Sequence, residues 1–206
     1  MSRKFGIVGT GAWGTALAHV ARSAGHAVGL WSRGTPDPNA LARADALILA
    51  VPAQALRAAL TAIAPAVAAR QPLIVSAKGI EQGTGLFMND VVQQVLPHAL
   101  PLVLSGPSFA ADVLKGLPTA VVMAAPTLAE AGEWAGALSI PHFRIYASDD
   151  VKGVEIGGAL KNVLAIACGI SDGRGLGDSA RAALTTRGFA ELTRFGRAMG
   201  ARPETL

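Results

Sequence analysis

The residues best suited to chemistry begin with Gly9-Thr-Gly-Ala-Trp-Gly14, between an apolar run, Phe5–Val8, and an Ala/Leu-rich stretch, Ala12–Ala24. A strand, a G-x-G-x-x-G turn and a helix in that order form the pattern that binds a dinucleotide. Gly9 permits the tight turn, Gly11 lets backbone approach a pyrophosphate, and Gly14 allows close helix–strand packing. The free N–H groups and the dipole at the helix start then favour the anion. A merely glycine-rich turn is the other reading. An acidic residue for the ribose normally follows some twenty residues on. Here the second apolar run ends Leu30-Trp31-Ser32-Arg33, without a carboxylate. The guanidinium fork of Arg33 suits a 2′-phosphate, which favours NADP, or dual use, over strict NAD. A solvated Arg33 stacking on adenine is the alternative.

Two more segments stand where strands should end, Val75-Ser-Ala-Lys-Gly79 and Ser105-Gly-Pro-Ser-Phe-Ala110. Open α/β sheets bind ligands beyond the carboxyl ends of their strands. Lys78 is therefore placed where cofactor and substrate meet, or is an ordinary surface lysine. Gly106 and Pro107 shape a turn that exposes N–H groups. Ser108 either caps the next helix or donates to a substrate hydroxyl or phosphate. The last segment, Gly157-Gly-Ala-Leu-Lys-Asn162, puts Lys161 among Val154, Ile156, Leu160, Val163, Leu164 and Ile166. A buried ammonium is costly unless the site needs it. Desolvation and a second lysine nearby lower a lysine toward the working range of a general acid or base. Snorkelling to solvent is the alternative for Lys161.

The elements that must position these groups alternate up to residue 148. Strand-like runs at 5–8, 27–31, 46–51, 73–76, 102–104, 118–124 and 142–146 are separated by helix-like ones at 12–24, about 53–69, 86–96 and 128–138. Residues 32–39 read as a turn-rich loop. Short apolar strands without polar alternation indicate a sheet buried on both faces. The fold class expected is α/β, a Rossmann-type doubly wound, mostly parallel sheet. Residues 149–206 carry only helical patterns, at 151–170 and 179–199, and read as part of an all-helical substrate-binding domain. Residues 1–148 read as the dinucleotide-binding domain.

Composition narrows the class. The 206 residues are 51% hydrophobic and 16% charged, which excludes a disordered chain and a coiled coil. Net charge is +4, but the basic residues are dispersed, which argues against nucleic acid as a partner. Mean hydropathy is +0.41. The run from Val154 to Ile170 is broken by Glu155 and Lys161, so no membrane span is expected, and no signal-peptide core precedes the first strand. The lone Cys168 reads as a small buried hydrophobe in a reducing, cytoplasmic compartment.

In combination and order the motifs resemble the bacterial NAD(P)-dependent glycerol-3-phosphate dehydrogenase family. The carrying residues are Gly9–Ala18, Ala77–Gly79, Ser105–Ala110, Gly158–Val163, Gly169–Gly173 and Thr186–Glu191. The resemblance implies reversible reduction of dihydroxyacetone phosphate to sn-glycerol 3-phosphate for phospholipid synthesis, with NADP or NAD as cofactor. It implies cofactor contacts from Gly9, Gly11, Ala12, Trp13, Gly14, Arg33, Lys78 and Ala110. It implies substrate contacts from Lys78, Gly106, Ser108 and Lys161, with Lys161 exchanging the proton, no metal, and a homodimer. Departures are a short connection from Arg33 to Asp45, Arg174 in place of an aliphatic residue, and Ser179 in place of Asn. A downstream Asp and a Ser-Arg-Asn triplet have no counterpart before Leu206, so the chain reads as shortened at its C-terminus. A cofactor-only remnant is the alternative, and a related dehydrogenase of another hydroxy acid or sugar phosphate is a third.

Overall fold

The computed structural model describes residues 1–34 and 41–206. The expected loop over 32–39 therefore falls mostly outside the described residues, as does the middle of the Arg33–Asp45 connection. Strands β1 (Lys4–Val8), β2 (Ala27–Trp31), β3 (Ala46–Leu49), β4 (Pro72–Val75), β5 (Leu100–Ser105), β6 (Thr119–Ala124) and β7 (Phe143–Ser148) form one sheet. Their order is β2-β1-β3-β4-β5-β6-β7. All neighbours are parallel except β5 and β6, where Ser105 stands opposite Val122 in an antiparallel pair.

Side-chain alternation along the strands divides the core in two. Phe5 and Ile7, Ala46 and Ile48, Ile74, Leu102 and Leu104 point to one face. There they meet α1 (Ala12–Ser23), α4 (Ala110–Leu114) and α5 (Leu128–Leu138). Val8, Leu47, Leu49, Leu73 and Val75 point to the other, under α2 (Leu56–Ile63) and α3 (Met88–Val95). Each fully buried Leu or Ile contributes roughly 1.5–3 kcal/mol of transfer free energy. Helix α1 shows why such segments are helical. Its Ala16, Leu17, Val20 and Ala21 recur at helical spacing and are buried, while Gly25, at φ +84°, follows its end.

The second face is completed over β5 and β6 by α6 (Val151–Gly173), whose Val154 packs on Val103 and Ala124. Asp150 starts that helix: its Oδ1 accepts the Gly153 N–H at 2.9 Å and its Oδ2 the Arg202 N–H at 2.9 Å. Burial opposes the charge of Asp150, but these bonds and that from Thr205 hold its carboxyl below the usual range. The last long helix, α7 (Gly177–Ala198), lies against α6. Past Ala159, α6 leaves the sheet, and Val163, Ile166 and Ile170 are exposed. The sequence leaves Lys161 either buried among apolar neighbours or snorkelling to solvent; the structure places it half-buried, at the point where α6 emerges. Cys168 is half-buried, with its sulfur 3.4 Å from Thr185 Oγ1, not a core residue. By length and composition α6 is also long and apolar enough to cross a membrane, which the unbroken-stretch test on the sequence did not register.

Candidate active site

The chain passes from β2, across β1, to β3, so strand order reverses between β1 and β3. A crevice opens there at the carboxyl ends, where doubly wound sheets bind ligands. It measures about 470 Å³ and is walled by Gly11–Trp13 after β1, Ala50–Ala53 after β3, Ser76–Lys78 after β4 and Ser108–Ala110 at the start of α4. The glycine loop has the shape the sequence predicts. Gly9 has φ +107°, and a Cβ there would lie 2.7 Å from the Ala50 carbonyl oxygen. A Cβ on Gly14 would collide with the Gly9 carbonyl oxygen, whereas Gly11 faces open space. Helix α1 has no side-chain N-cap and no acidic residue in its first turn. Its first N–H groups are thus available to an anion at the crevice. This cradle fits a dinucleotide pyrophosphate.

A second cavity of about 230 Å³ lies between the β5–β6 end of the sheet and α6. Ser105, Gly106, Gly157, Gly158 and Lys161 are among its walls. The two cavities share the Gly106–Ser108 turn. Lys78 Nζ donates to the Gly106 carbonyl oxygen at 2.7 Å, and Ser108 Oγ donates to the same oxygen at 3.3 Å. Ser108 therefore does not cap α4, whose N-cap, Phe109, makes no side-chain bond. Gly158 brings α6 close to this joint. A Cβ on it would collide with Ser105 Oγ and stand 3.6 Å from Lys78 Cγ. Lys161 follows one turn later. Burial, and then the nearby charge of Lys161, lower the Lys78 ammonium to about 8. The sequence anticipates a lowered lysine on α6; the structure adds one on the opposite wall, at Lys78.

Of the residues singled out in the sequence, Gly11, Ala12, Trp13, Lys78, Ser108 and Ala110 line the crevice, and Gly106 and Lys161 line the second cavity. Gly9 and Gly14 build the loop from behind. Arg33 is exposed, two residues beyond the end of β2, and is not among the crevice walls. Its strand is joined to the loop by the Gly9 N–H donating to the Trp31 carbonyl oxygen at 2.8 Å. Sequence reasoning missed Ser105, whose Oγ is buried beside Gly158 without a hydrogen-bond partner among the described residues, and the Ala50–Ala53 wall. It noted Glu155 only as a break in an apolar run.

Comparison with known proteins decides the family. The profile of the NAD-dependent glycerol-3-phosphate dehydrogenase N-terminus matches residues 34–131, and that of the C-terminus matches 150–206. The chain belongs to the glycerol-3-phosphate dehydrogenase family. It is 53% identical over 231 positions to a protein of Azorhizobium caulinodans named glycerol-3-phosphate dehydrogenase (NAD(P)+), covering 98% of this chain and 70% of that one. A protein of Parvibaculum lavamentivorans with the same name is 50% identical, over 99% of this chain and 70% of its own length. The crystal structure of glycerol-3-phosphate dehydrogenase from Coxiella burnetii superposes with a TM-score of 0.88 at 33% identity. That match covers all of this chain and 72% of the other. The Azorhizobium match runs over 231 positions against 206 residues here, so that dehydrogenase has at least 25 positions facing gaps in this one.

Proposed function

We propose that the chain is an NAD(P)-dependent oxidoreductase that reduces dihydroxyacetone phosphate to sn-glycerol 3-phosphate, the precursor step of glycerophospholipid synthesis. The observation that carries this reading is the joint at Gly106, where Lys78 ties the dinucleotide crevice to a cavity lined by Lys161. A hydride donor in the first space and a phosphorylated ketone in the second meet at that joint. When bound, the reduced nicotinamide supplies the hydride.

The chain's own residues supply the rest. The α1 N-terminus and Gly11 hold the pyrophosphate, with Ala12, Trp13 and Ala110 as neighbouring walls. Lys78, Gly106 and Ser108 orient the substrate, and the positive charges of Lys78 and Lys161 offset its phosphate. Lys161 donates a hydrogen bond to the carbonyl oxygen and passes its proton there as alkoxide charge develops; in oxidation it takes the proton back. Arg33 favours the 2′-phosphate of NADP. Residues 1–148 serve as the dinucleotide-binding unit and 149–206 as part of the substrate-binding unit. We read α6 as a helix of a cytoplasmic, homodimeric protein and not as a membrane span, because its first half covers β5 and β6. Nucleic acid has no part in this reading.

Oxidation of NADPH by the purified chain, followed by absorbance with dihydroxyacetone phosphate, tests it. Turnover is expected, and Lys161→Ala should lower kcat at least a hundredfold, within the range removed with a general acid. Tight NADPH binding without turnover would leave the cofactor-only alternative. Equal affinities of the wild-type chain for NADPH and NADH would remove the role given to Arg33.

A further inference from the structure

Glu155 lies on α6 six residues before Lys161, and only 7% of it is exposed. Its Oε1 accepts the Asn89 N–H at 2.6 Å, in the first turn of α3. That helix has no side-chain cap of its own, so a carboxyl from α6 does the work. The other oxygen, Oε2, is buried without a hydrogen-bond partner among the described residues, and so is Asn89 Oδ1. Two buried acceptors without a donor on touching residues are costly. A proton on Oε2 removes the buried charge and supplies an O–H donor among acceptors that otherwise have none.

The same two helices are joined at the rim by Lys152 Nζ and Asp90 Oδ2, 2.8 Å apart, and by Ile156 packing with Phe87. The charged groups acting on Glu155 are therefore Lys152, from its own helix, and Asp90, from α3. Burial raises its carboxyl to about 7; the Asn89 N–H and Lys152 oppose the shift and Asp90 adds to it.

We propose that Glu155 is a positioning residue for the reduction, a buried tie that in its neutral form holds α6 against the start of α3 and so sets Lys161 over the substrate cavity. It touches neither cavity wall and acts only through the helix. One turn past it, Gly158 rests on Ser105 and the Lys78 stem, so a small shift of α6 at Glu155 reaches the lysine joint directly. Ionisation leaves a buried negative oxygen without a partner, and the tie loosens. The kinetic consequence rests on the proposed reduction; the tie itself does not.

The test compares Glu155→Gln, Glu155→Ala, Asp90→Asn and Lys152→Gln. Gln keeps the acceptor for Asn89 N–H and carries a permanent N–H donor where the neutral carboxyl has its O–H. The ratio of its kcat to that of wild type should be near one at pH 6 and rise about threefold by pH 8, with KM for NADPH unchanged. Ala should lose about tenfold in kcat at both pH values. Asp90→Asn should move the midpoint of the ratio to lower pH and Lys152→Gln to higher pH; both are partly exposed positions that leave the fold intact. Thermal melting reads the tie without catalysis. The melting temperature of Glu155→Gln minus that of wild type should grow from about pH 4.5 to 7 and then level. Over that window the folded chain holds a proton that the unfolded chain has released. A flat melting difference, or a Gln variant as impaired as Ala, overturns the tie. Absence of turnover in wild type overturns the proposed reduction, and the melting series still decides the role of Glu155.

Discussion

Lys78 carries two burdens that conflict. In the proposed reduction it must remain charged to attract a phosphorylated substrate, yet burial and the Lys161 charge lower its ammonium to about 8. At pH 7 roughly nine in ten molecules still hold the proton. The sign of the stability effect follows. An unfolded lysine releases its proton near 10.5 and the folded one near 8, so the folded chain bears the full cost of the buried charge below pH 8. That cost is relieved as pH rises from 8 to 10.5. Replacing Lys78 by Met removes the cost together with one hydrogen bond to Gly106, so we expect a gain on the order of 1–2 kcal/mol at pH 7. Calorimetric melting should show the gain shrinking toward pH 10, while KM for dihydroxyacetone phosphate rises at least tenfold at pH 7. A variant less stable than wild type at pH 7 would mean that the hydrogen bond outweighs burial. Lys78 and Ser108 were legible in the sequence because each follows an apolar strand run, and strand ends are where such folds bind. Their partner was not legible, since both point at one carbonyl oxygen that only the folded turn presents. Glu155 gave no signal beyond its charge: a carboxylate in an apolar run says nothing about which N–H will cover it.

Helix α6 is the element on which the site depends, and its seating rests on one missing methyl group. At Gly158 an added Cβ would collide with Ser105 Oγ. The serine belongs to β5 with the sheet behind it, so relief comes either from turning its Oγ, which has no partner among the described residues, to another rotamer or from lifting the helix. Overpacking of this kind destabilises by about 1–3 kcal/mol. Because Lys161 is one turn on, we expect Gly158→Ala to lower kcat about tenfold or more, since small misplacements of catalytic groups are severe. Gly169→Ala, on the exposed part of the same helix with nothing near its added Cβ, is the control. It should stabilise by roughly 0.5–1 kcal/mol through helix propensity alone and leave kcat as it was. Equal kinetics for both variants would show that α6 has slack at Gly158. The strands and helices themselves were readable from apolar runs; α5 begins and ends where its pattern does. The reversed direction of β6 was not readable, because burial on both faces demands apolar residues whichever way a strand runs. The same ambiguity left Lys161 open between burial and snorkelling. Helix α6 is apolar on every side, so its sequence could not reveal which half would lie on the sheet.

At the scale of the whole molecule, the mean hydropathy of +0.41 divides between two well-packed layers and one open face. The layers enclose the sheet. The open face belongs to α6 and α7, where Val163 is 65% exposed, Ile166 64% and Phe189 51%, beside an apolar groove of about 550 Å³ lined by Leu160, Leu164 and Phe195 among others. Patches of this kind mark protein, ligand or membrane contact, and we expect this one to associate with another copy of the chain. The prediction separates fold from association. Ile166→Lys and Ile170→Lys change side chains that already face water, and surface changes of this kind stay within about 0.5 kcal/mol. Melting temperature at low micromolar concentration should therefore hold within about 2 °C. Sedimentation velocity should show wild type shifting to larger species as concentration rises and the double variant remaining small, since two ammonium groups on each copy repel and hydrate the face. Binding of a hydrophobic dye should fall in parallel. A melting temperature lowered by more than about 5 °C, corresponding to roughly 1–2 kcal/mol for a chain of this size, would mean that these residues are buried in the working protein. Association unchanged by the two lysines would assign the contact to another surface, with the exposed Phe109, Leu114 and Leu117 beside α4 as the next to alter.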